Sequence, residues 1–301
     1  MYPAWSIIFF TVISGLGLGL ANCAIFGVVD LTEPLHLFIF SGLTFGLIGS
    51  GLISSTLHLG HPERAWRALS QWKSSWLSRE GVLAILVLGL LFLWFLCSFL
   101  YETPSLLFGF PLSVLIFATV FATSMIYASL KTVSCWFHPL TPVCYLLFSI
   151  SGGLLFCISF MTFFNQHVSG ALQFLTGTSI LIAWVVKFFW WQNLDSNKFS
   201  STLSSATGLE SFTEVNTLMP PHTSENYLQK EMGFVIARKH AVKLRFISIF
   251  FGGLMPISFL FFLDWVSLVM VIASLLHLVG MFVERWLFFA EAKHVVSTYY
   301  S

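Results

Sequence analysis

The sequence predicts an all-α membrane protein, a single bundle of about eight transmembrane helices over residues 1–301. Two observations lead to that prediction. Hydrophobic residues make up 57% of the chain and charged residues only 9%, whereas a soluble domain carries roughly 25% charged residues to cover its surface. The apolar residues also gather into segments of about 20, the length at which a helix crosses the hydrocarbon core of a bilayer.

The predicted helices run over residues 5–28, 36–59, 81–101, 107–130, 142–164, 169–191, 245–263 and 267–290. The first is interpreted as a retained helix and not as a signal peptide, because no Lys or Arg precedes it and no clean cleavage site follows it. Residues 192–244 are the one long polar stretch, rich in Ser, Thr, Asn and Lys, with Pro220 and Pro221 near its middle. That composition is typical of an extramembrane loop that is partly ordered at best.

Small residues mark the first two helices at close-packing intervals. They are Gly15, Gly17 and Gly19 in the first helix, and Gly42, Gly46 and Gly49 in the second. Gly42 and Gly46 form a GxxxG pair, which lets two helix backbones approach closely. We therefore expect helix–helix contacts at both sets of glycines.

The basic residues indicate the orientation of the bundle. All 14 Lys and Arg fall at alternate ends of the predicted helices: Arg64, Arg67, Lys73 and Arg79; Lys131; Lys187, Lys198, Lys230, Arg238, Lys239, Lys243 and Arg245 around the long loop; Arg285 and Lys293. The opposite ends carry only the acids Asp30, Glu33, Glu102 and Asp264. Because cytoplasmic loops carry the excess of Lys and Arg, both termini and loops 61–80, 131–141 and 192–244 are predicted to be cytoplasmic.

The segment between the second and third helices predicts an amphipathic helix over residues 62–78 that lies in the membrane interface. Pro62 suits its first turn, and Glu63 suits the positive end of its dipole. One side carries aromatic and aliphatic residues and the other carries charged and polar ones, as an interfacial helix requires. This short loop is also the most densely charged, so its Arg and Trp residues are candidates for a protein interface. The predicted contact residues are Arg64, Trp66, Arg67 and Lys73.

His58 and Glu80 flank that segment at the same membrane face. A quinone is an apolar molecule whose two carbonyl oxygens must be hydrogen-bonded and, on reduction, protonated. A histidine that titrates near neutral pH and a carboxyl group just inside the water boundary are suitable proton donors. The alternative is structural: His58 caps its helix, and Glu80 pairs with Arg79 or Arg64.

Further candidates lie at the same face, and Arg64 is one of them for the quinone site as well as for the partner interface. Tyr127 and His138 could line a quinone pocket or contact a partner, although Tyr127 with Lys131 also fits an ordinary interfacial belt. Glu284 is the candidate for proton access. His277 lies inside the last span, where one interhelical hydrogen bond would explain it equally well.

Four strings of this sequence carry a family resemblance. They are His58-Leu-Gly…Pro62…Arg64-Ala65…Leu77-Ser78…Glu80, the first eleven residues MYPAWSIIFFT, the run Leu130-Lys-Thr-Val…His138-Pro-Leu-Thr-Pro142, and the run from Glu284 to His294. The first resembles the motif of the DmsC family, the membrane anchors of molybdopterin oxidoreductases of the DMSO-reductase type. The others are similar to the SoeC branch, which anchors the cytoplasmic sulfite-oxidising enzyme.

The resemblance implies a complex of three subunits in the bacterial cytoplasmic (inner) membrane. A molybdopterin subunit would oxidise sulfite, a ferredoxin-like subunit with [4Fe–4S] clusters would carry the electrons, and this anchor would bind ubiquinone or menaquinone. The family's quinone-site histidine falls on His58 and its acidic partner on Glu80. This protein would have no complete catalytic centre of its own.

Other functions stay open at this point. Within the same family, the protein could oxidise quinol and feed a terminal reductase for DMSO, thiosulfate or polysulfide. A small-solute transporter would place polar groups at the bilayer midplane, often in repeated halves, but here they gather at one face. Haem b is not expected, because bis-histidine ligation needs paired histidines within facing spans. The five scattered cysteines form no CxxC pair, so we expect no iron–sulfur or zinc site in this protein. We expect no nucleic-acid partner either.

Overall fold

A computed structural model describes residues 3–57, 61–101, 106–196, 203–209, 211, 215, 236–263 and 266–295. Over these ranges the protein is all-helical, and eight helices are long and apolar enough to cross a membrane. The predicted fold class is therefore confirmed. His58, the predicted quinone-site histidine, lies outside the described residues. Glu102 and Asp264 also lie outside them.

The helices follow the predicted order. Their bounds are α1 Trp5–Ile25, α2 Pro34–Thr56, a 3₁₀ helix Pro62–Gln71, α3 Trp76–Tyr101, α4 Leu106–Ala128, α5 Leu140–Phe163, α6 Gly170–Ser196, the short α7 Leu203–Thr207, α8 Ile236–Ile249, a π-helix Phe250–Leu254, α9 Met255–Phe262 and α10 Ser267–Ala290. The seventh span runs from α8 through the π-helix into α9. It begins at Ile236 and not at 245, so the predicted loop 192–244 includes helical residues at both of its ends.

The segment after α2 differs from its prediction. The helix begins at Pro62 as expected, but it is a 3₁₀ helix that ends at Gln71, and Trp76 already belongs to α3. The backbone N–H groups of Ser74 and Ser75 both donate to the Gln71 carbonyl, at 3.1 and 2.9 Å. This turn closes the helix, so the predicted helix over 62–78 begins where expected but is wrong in its length.

Hydrogen bonds join the loops at each end of the bundle. At one end, the Asp30 N–H donates to Gln166 Oε1 at 3.1 Å, and Gln166 Nε2 donates to the Asp30 carbonyl at 2.7 Å. At the other, the Val295 N–H donates to the Thr132 carbonyl at 3.0 Å. We call the end with loops 26–33 and 164–169 the acidic end. The end with the 3₁₀ helix and loop 129–139 is the basic end.

Helix α1 lies at the centre of the bundle and packs against α2, α4, α5 and α10. Its contact with α5 is backbone to backbone: a Cβ at Gly19 would overlap the Ser149 carbonyl, and one at Gly153 would overlap Gly19. Ser149 Oγ also donates to the Gly15 carbonyl at 2.6 Å. The predicted close approach at the α1 glycines is thus correct at Gly19, and Gly17 packs in the same way on α2.

The second set of glycines behaves differently. A Cβ at Gly42, Gly46 or Gly49 would meet no heavy atom of the described residues within 4 Å. The GxxxG pair therefore makes no close helix contact within the described part of the protein, and that prediction is wrong. The two glycines have the spacing of a close helix contact, but α2 is rotated so that they face away from the neighbouring described helices.

We expect Gly153→Ala to destabilise the bundle, because the added methyl group would push α1 away from α5. Overpacking of this kind costs about 1–3 kcal/mol, seen as a lower melting temperature of the purified protein in detergent. Gly46→Ala is the matched control and should change stability by less than about 0.5 kcal/mol. Equal melting temperatures for the two variants would contradict the α1–α5 contact.

Candidate functional site

Glu80 is a buried carboxyl group near the start of α3. It is 5% exposed, and Thr123 Oγ1 of α4 donates a hydrogen bond to its Oε1 at 2.6 Å. The same hydroxyl lies 3.1 Å from the Thr119 carbonyl. An acidic side chain in a membrane span is costly and marks a functional candidate.

The 3₁₀ helix packs against the first turn of α3, which carries Glu80. Ser78 Oγ donates to the Ala68 carbonyl, which ties the 3₁₀ helix to the first turn of α3. A Cβ at Gly81 would meet Leu69 Cδ2 at 3.0 Å, so the two elements pack tightly beside Glu80. The absence of a side chain at position 81 therefore lets the 3₁₀ helix pack closely on the start of α3, next to Glu80 in the sequence.

The structural alternative for Glu80 is wrong. Arg79 donates to the Trp72 and Lys73 carbonyls at 2.9 and 2.7 Å, and its guanidinium carbon lies 4.3 Å from the Trp76 ring centroid. Arg64 is exposed, and its Nε lies 3.7 Å from Glu63 Oε1. Within the described residues, Glu80 has no ion pair.

Tyr127, one turn beyond Thr123 on α4, lies in a buried aromatic cluster. Its ring centroid is 5.4 Å from that of Trp136 and 6.1 Å from that of Tyr145. Trp136 Nε1 donates to the Phe288 carbonyl at 2.9 Å, which fastens loop 129–139 onto α10. Tyr127 is therefore a core residue, and the alternative of an interfacial belt pair with Lys131 is wrong.

The cluster ends in three buried charged side chains. Lys187 Nζ lies 2.6 Å from Glu284 Oε1, and Arg285 Nη2 lies 3.6 Å from Glu284 Oε2. The Arg285 guanidinium carbon is 3.8 Å from the Tyr145 ring centroid, and Lys187 Nζ is 3.7 Å from that of Trp190. Cation–π contacts of this kind stabilise a charge that has left water.

Lys187 and Arg285 were not predicted as site residues. Lys187 was assigned to the border of the long loop, but it lies within α6 and is 1% exposed. The sequence did contain the signal, because Lys187 falls inside the predicted span 169–191 and a lysine in a span is unusual. Glu284, which is predicted for proton access, lies between these two cations.

The remaining predicted residues lie apart from this buried group. The Leu140 N–H donates to His138 Nδ1 at 3.2 Å, so His138 helps to begin α5. Partial burial lowers the pKa of His138, which keeps its ring neutral at pH 7. The predicted partner contacts Arg64, Trp66, Arg67 and Lys73 are all exposed on or just beyond the 3₁₀ helix. The structure therefore separates a buried group around Glu80 from an exposed basic surface.

His277 has a structural explanation. Its Nδ1 lies 2.5 Å from the Gly252 carbonyl in the π-helix, a carbonyl that the wider turn leaves available. A Cβ at Gly280 would overlap Gly252, so the two backbones meet at this point. The described residues contain no group of three or more His, Cys, Asp or Glu side chains placed to hold a metal ion.

Comparisons with known proteins identify the family of this chain. The sequence model of the DMSO reductase anchor subunit (DmsC) family matches residues 1–290. The chain belongs to the DmsC family. Its DmsC relatives include the C subunit of the sulfite dehydrogenase of Allochromatium vinosum, which is 28% identical over 328 aligned positions that span 100% of this chain and 99% of the relative.

A second DmsC relative matches only part of the sequence. The C polypeptide of the anaerobic dimethyl sulfoxide reductase of Escherichia coli is 30% identical over 141 residues, which are 45% of this chain and 48% of the relative. The predicted family is thus confirmed. The full-length match is to a component of a sulfite dehydrogenase, in line with the predicted branch.

Proposed function

We propose that this protein is the membrane anchor and quinone-binding subunit of a molybdopterin and iron–sulfur oxidoreductase, and that it passes electrons from sulfite oxidation to the quinone pool. The observation that supports a quinone site most directly is the buried Glu80 carboxyl group, which has no ion pair within the described residues. The full-length similarity to the C subunit of a sulfite dehydrogenase supports the choice of sulfite.

The chemistry divides between the subunits. A bound quinone takes up two electrons from the iron–sulfur partner and two protons from water to become quinol. In this protein Glu80 holds one of those protons at its carboxyl group, while Thr123 fixes the position of Oε1. His58 is proposed as the second group, because the sequence predicts that it lies at the same membrane face as Glu80.

A reversed flow of electrons is the second candidate. The 30% identity to the C polypeptide of the DMSO reductase over 141 residues favours a quinol-oxidising anchor. The two directions separate in one assay on the purified complex, with sulfite and quinone in one arm and quinol with DMSO, thiosulfate or polysulfide in the other. Sulfite-dependent quinone reduction would support the proposal. Activity only in the quinol arm would show that the protein is a quinol-oxidising anchor.

We propose the bacterial cytoplasmic membrane as the location, with the basic end facing the cytoplasm. Within the described residues, loops 26–33 and 164–169 at the acidic end contain no Lys or Arg, while the exposed cations lie at the basic end. We expect a C-terminal reporter that works only in the cytoplasm to be active. Activity only of a reporter that requires export would reverse the orientation and the placement of the partners.

The exposed basic surface at 62–73 is proposed as the docking site for the iron–sulfur subunit. Trp66 is 67% exposed, and Arg67 lies beside it with its guanidinium carbon 5.6 Å from the Trp66 ring centroid. Arg and Trp are enriched at protein interfaces. We expect a photo-crosslinker at position 66 or 67 to capture that subunit and one at position 35, exposed near the acidic end, to miss it. Capture only from position 35 would contradict the proposal.

His58→Phe should leave the complex assembled and the sulfite-dependent reduction of a soluble dye intact. Quinone reduction should fall by roughly 10²-fold, the lower end of what a positioned acid–base group contributes. His167→Phe at the opposite end of the bundle is the matched control and should keep its quinone activity. A His58→Phe complex that reduces quinone at the normal rate would move the site to Glu80 alone.

A further inference from the structure

The cluster of Lys187, Glu284 and Arg285 has an unbalanced charge. Its two cations share one carboxylate, so the group carries a net charge of +1 although each side chain is at most 3% exposed. A charge inside an apolar bundle is costly unless an opposite charge lies within reach. Of the other buried acids that the structure describes, Glu291 pairs with Arg245 at 2.7 Å, and Arg245 also pairs with Asp195 at 2.6 Å, so this neighbouring group carries a net charge of −1. Glu80 has no basic partner among the described residues.

Two small cavities connect this cluster with Glu80. Arg285, Tyr145 and Thr123 line the first, and Glu80, Thr119 and Thr123 line the second. Each has a volume of about 10 Å³, close to the minimum that holds one water molecule. Thr123 and Ser14 line both, so the cavities adjoin between the acid and the guanidinium group.

Two polar atoms need a partner at the first cavity. The Arg285 guanidinium group stacks on the ring face of Tyr145, and this geometry leaves Arg285 Nε and the Tyr145 hydroxyl without a hydrogen bond to any described residue. Both atoms are buried, and buried polar groups are nearly always hydrogen-bonded, often to ordered water. One water molecule in the first cavity would satisfy both.

The hydrogen bonds then run in one direction. With a water in that cavity, Arg285 Nε would donate to the water and the water would donate to the Thr123 hydroxyl oxygen, which itself donates to Glu80 Oε1 at 2.6 Å. Such a series of hydrogen bonds polarises each of its members, and it is most favourable with a positive charge at the donor end and a negative charge at the acceptor end. We propose that Arg285 is the counter-charge of the Glu80 carboxylate, joined to it by a bound water in this cavity.

The inference rests on the proposed function in one respect, the role of Glu80 as a proton donor to quinone. Arg285 acts through Glu80 as a positioning residue: it stabilises the carboxylate that remains after Glu80 has given up its proton. The other titratable groups around the acid are Tyr127 on α4 and Tyr145 on α5, while α1 offers only hydroxyls such as Ser14. The charged groups of the 3₁₀ helix, Glu63, Arg64 and Arg67, are exposed.

The test is an infrared pH titration of the full-length protein in lipid nanodiscs. The C=O band of protonated Glu80 is assigned by its loss in Glu80→Gln. We expect Arg285→Gln to raise the midpoint of this titration by about one pH unit, because it removes an opposite charge. Arg285→Lys keeps the charge and should stay closer to the unmodified protein.

A charge-conserving pair makes the test specific. Lys187→Met with Glu284→Gln leaves Arg285 as the single charge of the cluster, so the net charge stays +1 and the midpoint should move little. Lys187→Met alone leaves a neutral Glu284–Arg285 pair and should raise the midpoint, though less than Arg285→Gln. It also serves as the second variant if Arg285→Gln does not assemble.

Two results would overturn the inference. One is an unchanged midpoint in Arg285→Gln, or in Lys187→Met where only that variant assembles. The other is a double variant whose midpoint shifts as far as that of Arg285→Gln.

A second measurement tests the water. Labelling with H₂¹⁸O should reveal an O–H band that changes as Glu80 titrates and that is lost in Thr123→Val. If no such band is found, no water bridges Arg285 and Thr123. The titration uses neither quinone nor an electron donor, so a normal quinone rate in Glu80→Gln would refute the quinone site and leave this inference standing.

Discussion

Glu80→Gln should lower quinone reduction by roughly 10²-fold in a complex that still passes electrons from sulfite to a soluble dye, because a positioned proton donor contributes at least that much. Glutamine has nearly the shape of glutamate, and its amide oxygen can still accept the Thr123 hydrogen bond. The change therefore removes the titratable proton while it keeps the packing of α3 against α4. Electron entry from the partner subunits does not involve this side chain, so dye reduction reports that they remain assembled.

The matched control is Glu33→Gln, the same chemical change at an exposed position of the acidic end. Its quinone and dye rates should both equal those of the unmodified complex. The pH profile adds a second check, because a proton donor that is lost should also remove one limb of the dependence on pH. A Glu80→Gln complex that keeps both its rate and its pH profile would show that the proton reaches quinone by another group.

Glu284→Gln should destabilise the bundle by about 3–5 kcal/mol, the cost of removing one partner from a buried ion pair. Without this carboxylate, Lys187 and Arg285 become two buried cations beside each other, where Lys187 Nζ had lain 2.6 Å from Glu284 Oε1. The double variant Lys187→Met with Glu284→Gln removes the Lys187–Glu284 ion pair and also the repulsion between Lys187 and Arg285. We expect the double variant to be more stable than Glu284→Gln alone.

Reversible unfolding in mixed micelles measures these differences, and the cycle of single and double variants isolates the coupling between the two side chains. Lys243→Met, at an exposed position of α8, is the control for losing a lysine and should change stability by less than about 0.5 kcal/mol. Additive effects of Lys187→Met and Glu284→Gln would contradict the ion pair as an energetic unit.

Length and polarity alone determined the spans. Each predicted apolar segment became a helix within a few residues of its expected ends, because a backbone in lipid must satisfy its hydrogen bonds internally and needs about 20 residues to cross. The seventh span is the exception at its start. Its helix begins before the apolar run, in a stretch whose basic residues, such as Lys239 and Lys243, made it read as a polar loop. The sequence also pointed to Glu80, since an acid at the start of a span stands out against its neighbours.

Only the tertiary structure decided which groups meet. Thr123 is a common residue in a span, and nothing local marks it as the partner of Glu80, 43 positions away. The pairing of Lys187 with Glu284 depends in the same way on how α6 and α10 are rotated about their axes. Helix rotation and tilt are set by packing against several neighbours at once. For that reason Gly42, Gly46 and Gly49 of α2 meet nothing within 4 Å in the described bundle, while Gly19 touches α5.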